Sequence, residues 1–112
     1  MKLINCTPHS VDVCRDKQIV KIPPSGTVPR LEEDVDHVER VQFDVLPFEI
    51  DIVEKGFGRV KNLPKQVEGV YLIVSSIVAT TVRRPDLLIV DDMVRDPKTR
   101  RIIGARRFVI PK

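Results

Sequence analysis

Gly69-Val70-Tyr71-Leu72-Ile73-Val74-Ser75-Ser76-Ile77-Val78-Ala79-Thr80-Thr81-Val82 is the stretch whose reading decides the fold. From Val70 to Val74 every side chain is apolar or aromatic, so neither face of an extended segment suits water, and the segment reads as a central strand. Ser75-Ser76 interrupts the run with side chains that favour helix starts. The residues after them read as the main helix, near residues 75–83 and about two turns long, capped by Ser75 or Ser76 and ended before Pro85. Its β-branched content is high, so a continued strand is the alternative.

Working outward, most of the chain has strand character. Lys2–Asn5 is a short strand, and Thr7-Pro8-His9-Ser10 is a turn, because proline fixes its own φ and biases the preceding residue away from helix. Val11–Val13 and Gln18–Ile22 alternate across the short polar link Arg15-Asp16-Lys17, as a hairpin does. Pro23-Pro24-Ser25-Gly26 is a stop and turn, and Thr27–Leu31 is an edge or bulged strand because of Pro29. Glu32–Asp36 reads as an acidic loop or bulge leading into a strand through Val41, Phe43 and Val45. Phe48, Ile50 and Ile52 alternate as another strand, and Gly56-Phe57-Gly58 reads as a turn. Beyond the helix, Leu87–Val90 and Arg101–Ile110 are strands, with Asp96-Pro97-Lys98-Thr99 a turn and Gly104 a bulge or bend. The expected class is α+β and mostly β, a barrel-like or sandwich arrangement of short strands with one main helix, in a single compact domain over residues 1–112.

Composition bounds this further. In 112 residues, 42% are hydrophobic and 31% charged, enough for a core and a wettable surface. Tryptophan is absent and aromatics are few, so the core is expected to be aliphatic, with Tyr71 and the four phenylalanines joining it. Two cysteines, Cys6 and Cys14, make no disulfide framework. With no apolar leader and no run of spanning length, the expected setting is cytoplasmic, with no membrane partner. The net charge of +3 hides an asymmetry: residues 32–55 hold nine acids against two bases, and residues 83–112 hold nine bases against four acids. Charge of this kind serves either a solvated, self-complementary surface or a basic end that meets an anion.

Three constellations carry chemistry. Ser75 and Ser76, at a strand-to-helix turn, offer hydroxyls and unpaired N–H groups to a phosphate or carboxylate, or simply cap the helix. Asn5, Thr7 and His9 present short polar groups and an imidazole on a proline-fixed turn, or simply close that turn through local backbone bonds. Arginines at 84, 95 and 107 are planar forks suited to phosphate, or to pairing with the acidic middle segment. Cys6 and His9 have C-x2-H spacing, but Cys14 and His37 lack the compact spacing of a second zinc-ligand pair, so no metal is expected. Asp91-Asp92 with Asp51 makes a poor metal-ligand set, because neighbouring acids on a strand diverge. With few stacking aromatics, nucleic acid is not an expected partner either. No glycine-rich phosphate loop is present, and no cofactor is expected.

Ile4-Asn5-Cys6-Thr7-Pro8-His9 resembles the I-N-x-T-P-H start of small uncharacterised proteins found in phages, prophages and actinobacteria. The similarity continues through Ile22-Pro23-Pro24-Ser25-Gly26, Gly69–Ser75, Val78-Ala79, Arg84-x-Asp86-Leu87, Val94-Arg95-Asp96 and Ile102-Ile103-Gly104. The resemblance carries no activity. It implies a phage-type setting, in which a role directed at the host, such as sequestering a nucleotide immune signal, would make sense.

These observations converge on a non-enzymatic binding module for a small anionic, nucleotide-derived ligand. Asn5, Thr7, His9, Ser75, Ser76, Arg84, Arg95 and Arg107 are its candidate contacts, and further copies of the chain are candidate partners. The alternative is a protein-interaction or assembly module of phage origin, using strand edges and opposite charge. A third reading is a phosphoester hydrolase working through His9.

Overall fold

The run from Val70 does become an interior strand, and it organises the molecule. The computed structural model describes residues 1–112 apart from the side chain of Phe57. In chain order it contains β1 (Lys2–Asn5), β2 (Val11–Arg15), β3 (Gln18–Ile22), β4 (Arg30–Gln42), β5 (Glu49–Lys61), β6 (Val70–Ile73), α1 (Ser76–Val82), β7 (Leu87–Arg95) and β8 (Ile102–Val109). Six strands form one sheet in the order β1-β6-β7-β8-β2-β3, while β4 and β5 form a separate two-stranded ribbon. The fold is α+β and mostly β, with the larger sheet curled into a half-barrel.

β6 lies between β1 and β7 and is parallel to both, with Asn5 opposite Ile73 and Ile73 opposite Leu88. The link between two parallel neighbours must cross over, and α1 makes the crossing. The helix wins over a continued strand because Val78, Ala79 and Val82 fall on one side of a helical turn. Val78 and Ala79 are fully buried there, against Cys6, Leu72, Val74 and Leu87. Ser75 is extended at φ −66°, and Arg83 closes the helix in the left-handed region at φ 57°. This core is aliphatic, as the composition implies.

β2 and β3 form the expected hairpin around Asp16-Lys17, with Arg15 opposite Gln18. β8 runs antiparallel to β7 and also flanks β2. Gly104 is required by close approach: a Cβ there would sit 2.8 Å from the Asp12 carbonyl oxygen. The irregularity in this strand pair falls instead between Val94 and Arg95.

The middle of the chain departs from expectation. Glu32–Asp36 is no loop and Gly56-Phe57-Gly58 is no turn; both lie within 13-residue strands. Register shifts between Leu31 and Glu33 and between His37 and Glu39 absorb the irregular spacing as bulges. Lys55 reaches Glu33 at 2.8 Å and Lys61 reaches Glu32 at 2.7 Å, so the acids border a ladder. Only the root of the ribbon joins the core, through Val60. The radius of gyration is 18.9 Å and the long axis 55 Å, against ~13 Å for the radius of a compact chain of similar length. Phe43 and Phe48 are accordingly 42% and 55% exposed rather than in the core. Tyr71 and Phe108 are partly buried.

Candidate functional site

Parallel strands end at a common edge, and here the β1–β6 register decides which groups meet. Asn5 is opposite Ile73, and the Cys6 N–H continues the ladder by donating to the Ile73 carbonyl at 2.8 Å. One residue further along, past Cys6 and Val74, come Thr7 and the Ser75-Ser76 pair. The turn after β1 and the start of α1 therefore leave the sheet at the same end.

Asn5 organises the first of these segments. It is 2% exposed, and its amide donates to the His9 carbonyl at 2.8 Å and the Ile22 carbonyl at 3.0 Å. Its Oδ1 accepts from the Thr7 N–H at 2.9 Å and from the Thr7 hydroxyl at 2.6 Å. The same hydroxyl lies 2.9 Å from the His9 carbonyl, which it serves in turn, having one proton. This is a closed Asx turn with a second job. Ile22 ends β3 and Asn5 ends β1, strands at opposite margins of the sheet, so one amide holds the curl together. The Ser25 N–H adds a bond to the Asn5 carbonyl at 2.8 Å. Asn5 is thus a positioning residue, and its side chain is fully engaged.

His9 is exposed. Its carbonyl belongs to the turn, while its imidazole makes no hydrogen bond among the described residues. Ser75 and Ser76 are exposed too, and the Ser75 side chain makes no capping bond. The Ser75 carbonyl accepts the Ala79 N–H at 3.1 Å, which leaves the N–H groups of the first turn facing outward.

The arginines divide. Arg84 lies just before β7, where that strand enters the sheet, away from the shared edge. It makes a two-pronged pair with Asp86 at 2.9 and 2.6 Å and a third bond to the Pro64 carbonyl at 2.9 Å. The pair holds the Asp86 carboxyl below its usual range. Arg95 donates to the Arg100 carbonyl across the β7–β8 turn. Neither is brought to Ser75. Arg107 is different: β7 continues past the edge where β6 stops, and there Asp91 is opposite Arg107. Arg107 Nε donates to Asp91 Oδ2 at 2.7 Å. Its Nη1 and Nη2 have no partner among the described residues.

Cys6, His9, Cys14 and His37 do not converge. Cys6 is buried in the core, where desolvation raises its thiol pKa, and His37 lies on the ribbon beside Asp51. No group of three or more His, Cys, Asp or Glu side chains is arranged to hold a metal among the described residues. No helix in the described residues is long and apolar enough to cross a membrane.

Two participants escaped the sequence reading. Ser25 stood out only as part of a turn, and Asp91 as half of an acidic pair. Both owe their role to register between distant segments. Asp86, by contrast, carried a local signal, since residues two apart on an extended segment share a face. No family model matches this chain, and no curated protein or solved structure matches it.

Proposed function

We propose that the chain is a non-enzymatic binding module for a small anionic ligand of nucleotide type, held at the edge where β1 and β6 end. The observation that carries this reading is the parallel register, which brings the Thr7–His9 turn and Ser75-Ser76 to one end of the sheet. In this reading the imidazole of His9 and the hydroxyls of Ser75 and Ser76 give directional hydrogen bonds, with first-turn N–H groups beside them. Arg107 supplies positive charge through its free Nη groups. Asn5 and Thr7 hold the turn in shape. Arg84 and Arg95 play no part. The family resemblance adds a setting, in which a phage-encoded chain holds a host immune nucleotide without turning it over.

Calorimetry against mononucleotides, cyclic dinucleotides and inorganic phosphate tests the reading. Binding of a nucleotide, lost in His9→Ala and in the double variant Ser75→Ala/Ser76→Ala but kept in Arg95→Ala, is the expected result. Ligand recovered intact after heat denaturation would separate sequestration from hydrolysis. Absence of binding across the panel, or binding indifferent to His9 and both serines, would sink it. A second reading, a protein-interaction module, is favoured by a different observation, the projecting β4–β5 ribbon.

A further inference from the structure

We propose that the β4–β5 ribbon is an assembly arm that seats on the β7–β8 face of a second copy of this chain. This rests on the interaction reading and is independent of nucleotide binding. Residues directly opposite in an antiparallel pair share a face. Val41 is opposite Ile50, and Ile52 is opposite Glu39, so Val41, Ile50 and Ile52 share one face with Glu39, and Phe43 and Phe48 flank the turn that joins the two strands at the tip. Phe43, Phe48, Ile50 and Ile52 are 42%, 55%, 42% and 37% exposed. An isolated two-stranded ribbon is marginal in water, and this one leaves its distal apolar face uncovered.

Charge selects the occupant. Two arms stacked on each other would each bring the excess of nine acids over two bases in residues 32–55, and would repel. The β7–β8 side carries the opposite sign. It also holds a cavity of about 230 Å³ lined by Ser10, Val11, Asp12, Val90, Met93, Ile102, Ile103 and Gly104. A closed cavity of ~150 Å³ accepts benzene, and this pocket, open to solvent on one side, has volume enough for a phenyl ring. Arg95 is opposite Ile102 at the cavity's rim, with Arg101 adjacent in sequence. On the arm, Asp44 follows Phe43 and Glu49 follows Phe48. Aromatic anchors beside acids thus meet an apolar cavity beside arginines.

Light scattering coupled to size exclusion, run over a concentration series, tests this. The expected mass is a closed multiple of 12.8 kDa that falls toward the monomer as salt rises. Phe43→Ser/Phe48→Ser should weaken assembly by ~100-fold or more, given what central aromatic anchors contribute, with circular dichroism unchanged. Arg95→Glu/Arg101→Glu should weaken it too, and mixing that variant with Asp44→Lys/Glu49→Lys should restore a complex. A monomer at every concentration would overturn the proposal. So would an oligomer indifferent to the phenylalanines, or one that needs them but ignores the arginine reversal. Calorimetry on the monomeric phenylalanine variant reads nucleotide binding separately, so failure of one proposal leaves the other standing.

Discussion

Replacing Asn5 with alanine removes one amide and disturbs three segments. The side chain makes four hydrogen bonds: two to the carbonyls of His9 and Ile22, and two from the Thr7 N–H and hydroxyl. A typical intramolecular bond contributes a net ~1 kcal/mol, and a buried group left unpaired costs ~1–3 kcal/mol. The Thr7 hydroxyl can settle on the His9 carbonyl, 2.9 Å away, which recovers one bond and satisfies that acceptor. The Thr7 N–H and the Ile22 carbonyl remain, both on partly buried residues that water reaches incompletely. The loss is then about 2–3 kcal/mol, a large share of the ~5–15 kcal/mol that holds a small domain together. Urea unfolding followed by circular dichroism would show it as a lower midpoint, and scanning calorimetry as a melting temperature lower by about 10 °C. Asn5→Asp should be worse than alanine at neutral pH, since a carboxylate would face the Ile22 and His9 carbonyls. If Asn5→Ala unfolds within about 0.5 kcal/mol of the parent, the amide is not the latch of the curled sheet, and the reasoning fails.

Other perturbations probe other parts of the structure. Asp86→Asn should destabilise by roughly 1–3 kcal/mol at pH 7, because it leaves the partly buried Arg84 guanidinium without its anion. Arg84 lowers the Asp86 pKa from its ordinary 3.8, so that pair's stabilisation is fully present above about pH 4 and lost as the pH falls through the depressed value. Parent and variant stabilities should therefore converge on acidification; parallel curves down to about pH 2 would count against the pair. Gly104→Ala should cost ~1–3 kcal/mol, because the new methyl meets backbone rather than a movable side chain; an unchanged urea midpoint would refute the close approach. Leu87→Ala, at a position 0% exposed, should cost ~2–5 kcal/mol through lost burial and a cavity, and a smaller loss would mean the core under α1 relaxes freely.

The parts of the fold that were legible are those with a local physical signature. Val70–Val74 is apolar on both faces and so had to be interior, and Ser75 with Pro85 bracketed the helix that crosses between two parallel strands. Asn5, Thr7 and Pro8 encode their turn within a few residues. The ribbon was legible only near its tip, where Ile50 and Ile52 alternate as a strand; nearer the root its signature contradicts its state. Glu32–Asp36 is polar enough to be a loop, and glycines at 56 and 58 resemble a turn. They form strands because the partner strand supplies the hydrogen bonds and Lys55 and Lys61 offset the acids. For the candidate site, Thr7, His9, Ser75 and Ser76 could be named from residue chemistry. Their common edge is a fact of register, invisible until Lys2 is known to lie beside Val70. The arginines show the converse. Arg84, Arg95 and Arg107 have the same chemistry, yet Asp86, the Arg100 carbonyl and Asp91 give them different neighbours.

The β1–β6 pairing also imposes a timetable on biogenesis. Lys2 and Val70 are register partners, so β1 leaves the ribosome with its partner unmade. At ~5–20 residues per second, the wait is on the order of several seconds. Throughout it, Leu3 and Ile4 have no sheet to join, while the β2–β3 hairpin can already close. Closure of the curl at Ile22 must therefore be a late event, after β6 has emerged. Folding should be slow for a chain of this size, with the nascent amino-terminal segment open to capture by chaperones until the central strand arrives.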